Sequence, residues 1–201
     1  GLSILLVIHM FVSLIYTELI FKGVSCEAGN KKINTQKTIY QIIQDILVNE
    51  GLWGKVKIEM SPEREISESF YVEKSRTIQL SDADGTAQAV GAAIHECGHA
   101  IQHQKGYVPL VIRSALVPVA QFGSGISWPI IIAGIFFGYN QTLINIGILL
   151  FSAAVLFQIV TLPVEINASR RAVRLLKDTG ILRNDEAVCT KKVLGAAALT
   201  Y

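Results

Sequence analysis

A short motif near the middle of the chain, His95-Glu96-Cys97-Gly98-His99, places two histidines four residues apart. On a helix, residues at this spacing share one face with their side chains about 6 Å apart, so both imidazoles can bind one Zn²⁺ ion. Glu96 would then lie beside the open coordination position, where a carboxylate can act as general base toward water. The pattern predicts a metal site for hydrolysis, and a pair of hydrogen-bonded core histidines is the alternative.

A catalytic zinc site needs a third protein ligand and leaves its fourth position to water. His103 repeats the four-residue spacing, but at 1.5 Å per residue it lies about 12 Å along the helix axis from His95. One uninterrupted helix therefore cannot bring His95, His99 and His103 to the same ion. We expect His103 to contact the ligand residues without binding the metal, or to face the substrate. An ordinary polar position on the helix surface is the alternative.

The composition indicates which elements must position these residues. The 201-residue chain has 51% hydrophobic and 17% charged side chains, and its mean hydropathy is +0.43, whereas soluble domains carry about 25% charged residues. Residues 115–164 contain no charged side chain. Because about 20 apolar residues of helix cross a bilayer, we predict a transmembrane hairpin over 115–164, with spans at 115–138 and 143–164 and the polar turn 139–142 between them.

The predicted hairpin also selects the third metal ligand. Two spans return the chain to the membrane face that it left, and Glu165 is the first charged residue after Arg113. Glu165 should therefore emerge on the same face as His95 and His99. We predict that Glu165 begins a helix and completes the metal site. The alternative is an interfacial carboxylate that caps this helix, since acidic residues favour the first turn.

The region 22–114 is predicted to be a small α+β unit that carries the motif. Apolar residues at helical spacing predict a helix over 38–50, which Gly51 would end. Alternation of Val56, Ile58 and Met60 predicts a half-buried strand. This unit would contain the catalytic region.

A hairpin and a long helix complete that unit. Segments 70–72 and 77–80 are predicted to pair in a small antiparallel sheet. Strand 77–80 could be an edge that pairs with an extended substrate, or it could merely complete the sheet. A Ser- and Asp-rich break at 81–84 is predicted to cap the motif helix, expected over 86–105.

The two ends and the orientation follow from apolar runs and basic residues. Residues 1–21 are predicted to be a transmembrane anchor, with a signal peptide as the alternative. Basic residues flank the spans in 22–114 and 165–201, whereas the 139–142 turn has none. The positive-inside rule therefore predicts a multi-pass protein of the cell membrane with both charged regions and the active site in the cytoplasm. Both ends look clipped, and a further span could begin after the helix that follows Glu165.

Two classes of function and structure are excluded by charge and cysteine content. A net charge of +2 without a basic stripe is too small for a nucleic-acid partner. The three cysteines, Cys26, Cys97 and Cys189, are widely spaced and form no CxxC pair. They predict free thiols rather than a disulfide framework or a thiolate zinc cage.

A family resemblance rests on four linked motifs, which are HECGHAIQH at 95–103, GYVPL at 106–110, RSALVP at 113–118 and TLPVEINASRRA at 161–172. Together they resemble the YugP-type membrane zinc metallopeptidases, also called neutral zinc metallopeptidases. They are more distantly similar to the HtpX and CaaX-prenyl membrane proteases. The resemblance implies an α+β, mostly helical integral membrane protein with a gluzincin-like zinc protease unit.

The distant relatives also indicate which residues support the ligands. Their third ligand begins an E-x-x-A-D helix, and Ser169 stands here where those relatives have the Asp. A hydroxyl can still hydrogen-bond a zinc-binding histidine. The residues expected to support the ligands or face the substrate are His103, Asn167, Ser169 and Arg170. Spacing does not rank the candidates for oxyanion stabilisation, which are Tyr71, His103, Tyr107 and Arg170.

The expected function is a membrane-embedded, zinc-dependent endopeptidase with Zn²⁺ as its cofactor. Glu96 would take a proton from the attacking water and deliver it to the leaving amine. The expected partners are a peptide or membrane-protein substrate and the lipid bilayer. A non-enzymatic membrane scaffold with a structural zinc site is the alternative, and it would close the fourth zinc position with a protein ligand such as His103 or Cys97.

Overall fold

The computed structural model describes residues 37–60, 69–81, 86–180 and 184–198. The predicted anchor at 1–21 and Cys26 lie outside these residues, as do 82–84 of the predicted cap. The chain divides into two compact units. Of the described residues, the first unit contains those up to Gln104 together with 166–180 and 184–198, and the second contains 105–165.

Helix α1, Ile39–Asn49, begins the described part of the first unit. Thr38 caps it in a reciprocal capping box. The Thr38 hydroxyl accepts from the backbone N–H of Gln41, and the side-chain oxygen of Gln41 accepts from the backbone N–H of Thr38. The helix ends before Gly51, whose φ of 69° suits glycine. The predicted helix at 38–50 is confirmed. Its buried residues are Ile42, Ile43, Ile46 and Leu47.

A three-stranded mixed sheet follows, formed by β1 (Lys57–Met60), β2 (Phe70–Val72) and β3 (Thr77–Leu80) in the order β1-β3-β2. The β2–β3 hairpin is antiparallel, as predicted, but β1 pairs with β3 in parallel. The expectation of a wholly antiparallel sheet is therefore wrong.

Strand β3 lies at the centre of the sheet. Of the two roles predicted for 77–80, an edge that pairs with substrate is wrong, and the alternative, a strand that completes the sheet, is confirmed. The physical reason is burial. Ile78 and Leu80 are fully buried, whereas β1 exposes Lys57 and Glu59, and charged residues are tolerated on edges but not at a sheet centre. The predicted alternation also fails at Met60, which is 47% exposed.

Helix α2, Ala87–Gln104, carries the histidine motif. The amide of Ala89 donates to the Thr86 hydroxyl at 3.2 Å, so Thr86 supplies an N-terminal cap. The helix ends before Gly106, whose φ is 60°. It packs against α1, β2 and β3. The predicted helix at 86–105 is therefore confirmed to within one residue at each end.

The second unit is built from the two longest helices. Helix α3 is Val108–Phe136 and helix α4 is Gln141–Thr179. Both are long and apolar enough to cross a membrane. They cover the predicted spans except for residues 137–138, which follow the end of α3. Gly123 allows their close contact, since a Cβ there would lie 2.8 Å from the Leu150 carbonyl oxygen. Large apolar side chains such as Phe122 are exposed along α3.

Helix α4 runs without interruption through Glu165, so the expectation that Glu165 begins a helix is wrong. The alternative of an N-terminal capping carboxylate fails for the same reason. Pro163 lies inside the helix. The proline costs the helix one backbone N–H donor. Ending the helix here, among apolar residues, would leave several backbone groups unpaired and would cost more, so the helix continues.

The first unit closes around one hydrophobic core. The end of α4 and helix α5, Asn184–Ala198, complete it with Leu175, Leu176 and Leu194. Helix α2 faces this core with Val90, Ile94, Cys97 and Ile101, which leaves its other face for the motif residues. Gly98 allows a close approach, because a Cβ there would lie 2.7 Å from the Ala168 carbonyl oxygen.

Candidate metal centre

The structure brings together the three residues predicted as metal ligands. One ligand atom from each of His95, His99 and Glu165 lies within 4.8 Å of the others. The centroids of the two imidazole rings are 4.8 Å apart, and the rings are nearly perpendicular, with an interplanar angle of 86°. His99 and Glu165 are 9% and 4% exposed. In the part of the chain that the structure describes, this is the one group of three His, Cys, Asp or Glu side chains close enough to hold a metal.

Ser169 fixes the proton on the first histidine. Its hydroxyl lies 3.3 Å from His95 Nδ1 and donates to the Leu194 carbonyl oxygen at 3.2 Å. Because the hydroxyl proton is used in that bond, Ser169 accepts from the Nδ1–H of His95. In this tautomer Nε2 of His95 carries the lone pair, which is the form that a metal requires. Ser169 thus contacts a predicted ligand, and its role as a support stays a prediction.

Gln102 does the same for the second histidine. It is fully buried, its Oε1 lies 3.1 Å from His99 Nδ1, and its Nε2 donates to Asn167 Oδ1 at 3.0 Å. Asn167 Oδ1 also accepts from Arg171 Nε at 2.8 Å. Since the Gln102 amide nitrogen is the donor to Asn167, its oxygen must accept from His99 Nδ1–H. This leaves Nε2 of His99 for a metal.

Sequence reasoning predicted Asn167 but missed Gln102. The available signal was its position three residues after His99, on the same face of the helix. The signal is weak, because many helices carry a glutamine at that spacing. What makes Gln102 a support is its burial and its bond to Asn167 on another helix, and neither can be read from spacing.

The motif carboxylate, Glu96, is held by the sheet. Its Oε2 accepts a hydrogen bond of 2.7 Å from the backbone N–H of Tyr71 in β2. Tyr71 Oη in turn lies 2.8 Å from Nδ1 of His103. Burial, reinforced by the nearby Glu73 carboxylate, raises the pKa of Tyr71 to about 12. The phenol therefore keeps its proton at neutral pH.

Arg113 is a neighbour of the third ligand that sequence reasoning used only as a marker of orientation. Its Nη2 lies 3.8 Å from Oε1 of Glu165, and its side chain is 24% exposed. Its Nε is buried and has no hydrogen-bond partner among the described residues. A guanidinium at this distance attracts and orients the Glu165 carboxylate.

Cys97 packs into the core, as its position on the helix predicts. It is fully buried, and burial raises the pKa of its thiol well above the usual range. Cys97 belongs to the hydrophobic core and is outside the group of three side chains close enough to hold a metal among the described residues.

Comparison with known proteins shows which family the chain belongs to. A family model described as "Putative neutral zinc metallopeptidase" matches residues 3–201. The chain belongs to this family. It is also similar to a curated protein of Bacillus subtilis (strain 168) named "Putative membrane protease YugP", with 42% identity over 151 residues, which are 74% of this chain and 67% of the relative. No solved structure matches the chain significantly.

The donor set fits the zinc that the family implies. Two imidazoles and one carboxylate are the ligands of a known class of catalytic zinc sites, which keep a fourth position for water. Both imidazoles offer the same nitrogen, Nε2, because Ser169 and Gln102 hold their Nδ1–H groups. Neutral imidazole with one fixed tautomer is the form that binds metal best. Zinc is therefore the cofactor that this site can hold.

The remaining predicted residues are placed differently from one another. His103 is outside the group of three ligands, as the helix pitch requires, and it is held by Tyr71. Arg170 is exposed on α4, and no contact in the described residues ties it to the other site residues. Its role and that of Tyr107 stay predictions.

Proposed function

We propose that this chain is a zinc-dependent endopeptidase that acts at a membrane. The observation that carries the proposal is the convergence of His95, His99 and Glu165 to within 4.8 Å, with Glu96 between the two histidines on the same helix. Two histidines and a glutamate leave one zinc position open for water, and an adjacent carboxylate can act as general base toward that water. Family membership supports the same chemistry.

In this proposal His95, His99 and Glu165 hold the zinc. When bound, zinc supplies a Lewis acid that polarises the scissile carbonyl and lowers the pKa of water toward about 7. Glu96 takes the proton that water loses and delivers it to the leaving amine. The Tyr71 amide holds the Glu96 carboxylate at 2.7 Å, so the base is oriented before substrate arrives, which lowers the cost of reaching the reactive geometry.

The alternative is a membrane scaffold in which zinc only stabilises the fold. A structural site normally closes all four positions with protein ligands. The described residues offer three, and neither His103 nor Cys97 joins them. No observation favours the scaffold, and the experiment below separates the two functions.

The proposal extends to the bilayer and to the substrate. Helices α3 and α4 have the length and apolar composition of membrane spans, and the relative carries "membrane" in its name. We propose that these two helices cross the bilayer of the cell as a hairpin, that further spans make the protein multi-pass, and that the metal centre faces the cytoplasm. A substrate would be a peptide or a membrane protein that presents an extended segment there.

The decisive experiment replaces the base and retains the ligands. Glu96→Gln should keep one bound zinc, measured by metal analysis of the purified protein, and should lower casein cleavage at least about 100-fold, as loss of a general base does. The matched control is Glu59→Gln, which makes the same change at an exposed residue of β1 and should cleave normally. A Glu96→Gln protein with wild-type cleavage would overturn the proposed function.

A further inference from the structure

One residue of the sheet, Tyr71, contacts α2 at two separate points. Its backbone N–H donates to Glu96 Oε2 at 2.7 Å, and its phenol oxygen lies 2.8 Å from His103 Nδ1. The Tyr71 and His103 rings also meet edge to face, with centroids 5.9 Å apart. A single residue thus joins the proposed base to a histidine outside the ligand set.

Helix geometry explains how one tyrosine can reach both side chains. Glu96 and His103 are seven residues apart, which is almost two full turns, so they lie on the same face about 10.5 Å apart along the axis. Tyr71 covers much of that distance between its backbone nitrogen and its phenol oxygen. Strand β2 therefore borders the face of α2 that carries Glu96 and His103.

The direction of the phenol hydrogen bond sets the tautomer of His103. A phenol with a pKa of about 12 remains protonated and so has a proton to donate across the 2.8 Å contact. When it donates, His103 Nδ1 accepts. A neutral imidazole whose Nδ1 accepts must carry its proton on Nε2. In that arrangement the half-buried His103 presents one N–H donor, Nε2–H, in an orientation that Tyr71 fixes.

Among the described residues, strand β2 pairs only with β3, in the order β1-β3-β2, and so forms an edge of the sheet that they build. The outward N–H of an edge strand would ordinarily be available to an extended peptide. Here the N–H of Tyr71 is bonded to Glu96. A peptide that lies along β2 past Glu96 therefore needs another donor, and His103 Nε2–H stands two turns further along the same face.

We propose that His103 is a substrate-binding residue that donates its Nε2–H to a backbone carbonyl of the peptide, and that Tyr71 is the positioning residue that orients it. This inference rests on the proposed endopeptidase function and deepens it. It assigns recognition of an extended peptide backbone to a side chain four residues beyond the last histidine ligand. A purely structural Tyr71–His103 pair is the competing explanation.

Kinetics distinguish substrate binding from a structural role. His103→Phe keeps a ring but removes the donor, and it should raise KM about three- to tenfold, the effect of one lost hydrogen bond, with kcat changed less than about twofold. His103→Gln restores an N–H donor and should recover part of the KM. Tyr71→Phe removes only the phenol oxygen and should also raise KM. Tyr139→Phe, at a 75% exposed position, is the matched control and should change nothing.

Spectroscopy tests the orientation of His103 without relying on turnover. The chain has four histidines, so ¹⁵N-histidine NMR of the zinc-loaded protein can resolve each one. His103 should be the Nε2–H tautomer in the wild type and become a tautomer mixture in Tyr71→Phe. Adding a casein-derived peptide should shift the His103 Nε2 signal in the wild type.

Each contrary result has one meaning. Wild-type KM and kcat in His103→Phe, or a loss confined to kcat, would overturn the substrate-binding role. An unchanged tautomer in Tyr71→Phe would overturn the positioning role. Equal zinc content in all variants checks that the site remains folded. A wild type that binds the peptide through His103 but cleaves nothing would instead refute the proposed function and leave the His103 contact standing.

Discussion

Gln102 Oε1 lies 3.1 Å from Nδ1 of His99, three residues earlier on the same helix. A neutral amide therefore supports this predicted ligand, where many zinc sites use a carboxylate or a backbone carbonyl. The same amide makes a second hydrogen bond, because its nitrogen donates to Asn167 on α4. Ligand orientation and helix packing thus depend on one buried side chain.

Replacing Gln102 should weaken zinc binding. Gln102→Leu fills similar space but leaves His99 Nδ1–H without its acceptor, so we expect zinc affinity to fall about 10- to 100-fold. Competition with a chromophoric chelator measures the affinity. The control is Gln104→Leu at the exposed end of the same helix, which should bind zinc normally. Unchanged affinity in Gln102→Leu would show that the bond does not orient His99.

Gln102→Glu should fold poorly even though a carboxylate is a stronger acceptor. The variant would accept from His99 Nδ1–H, but its second oxygen would face Asn167 Oδ1 where the amide nitrogen now donates at 3.0 Å. Two buried acceptors in contact cost about 1–3 kcal/mol. We expect a lower Tm than in Gln102→Leu, measured by thermal unfolding. A Tm equal to the wild type would contradict the proton assignment.

Ser169 supports the other histidine and gives a similar test. Ser169→Ala should lower zinc affinity about tenfold or more, because His95 Nδ1–H loses its acceptor. Ser169→Asp introduces the residue that the resemblance to the HtpX and CaaX-prenyl proteases would lead one to expect there. Its carboxylate would face the Leu194 carbonyl oxygen, to which the hydroxyl now donates. We therefore expect Ser169→Asp to be less stable than Ser169→Ala, and the reverse order would show that Leu194 moves away.

How much of the site the sequence could predict depends on the range of each interaction. His95, Glu96 and His99 are four residues apart at most, so helix pitch alone relates them. Glu165 could be predicted because a hairpin must return the chain to the face that it left. The contact of Tyr71 with Glu96 joins elements 25 residues apart in sequence, and no local pattern encodes it.

The same distinction applies to the fold. The helices at 39–49 and 87–104 follow from caps and apolar spacing within a few residues. The parallel pairing of β1 with β3 does not, because strand order depends on which strand buries both faces. Glu165 was wrongly expected at a helix start, since Pro163 favours a helix boundary locally while the apolar surroundings favour continuity.

Gly98 has a packing role that a single methyl group can test. Its Cβ would lie 2.7 Å from the Ala168 carbonyl oxygen, so Gly98→Ala should force α2 away from α4 and lower stability by about 1–3 kcal/mol. The helix propensity of alanine would offset up to about 1 kcal/mol of this loss. The control is Gly195→Ala in α5, where a Cβ meets nothing within 4 Å, and it should be neutral or stabilising. Urea unfolding of both variants measures the difference, and equal stability would show that the two helices can separate without cost.

The proposed membrane hairpin and its orientation can be tested at two exposed turns. Alkaline phosphatase, which is active only outside the cytoplasm, should be active when inserted in the turn 139–142 and inactive when inserted in the turn 73–76 between β2 and β3. The physical reason is charge, because Arg113 precedes the first span of the hairpin and four basic residues follow the second, whereas the turn at 139–142 has none. A cytoplasmic reporter such as green fluorescent protein should give the opposite pattern at the same two sites. If phosphatase is active at 73–76 and inactive at 139–142, the metal centre faces outward, and substrates must then be sought among extracytoplasmic segments.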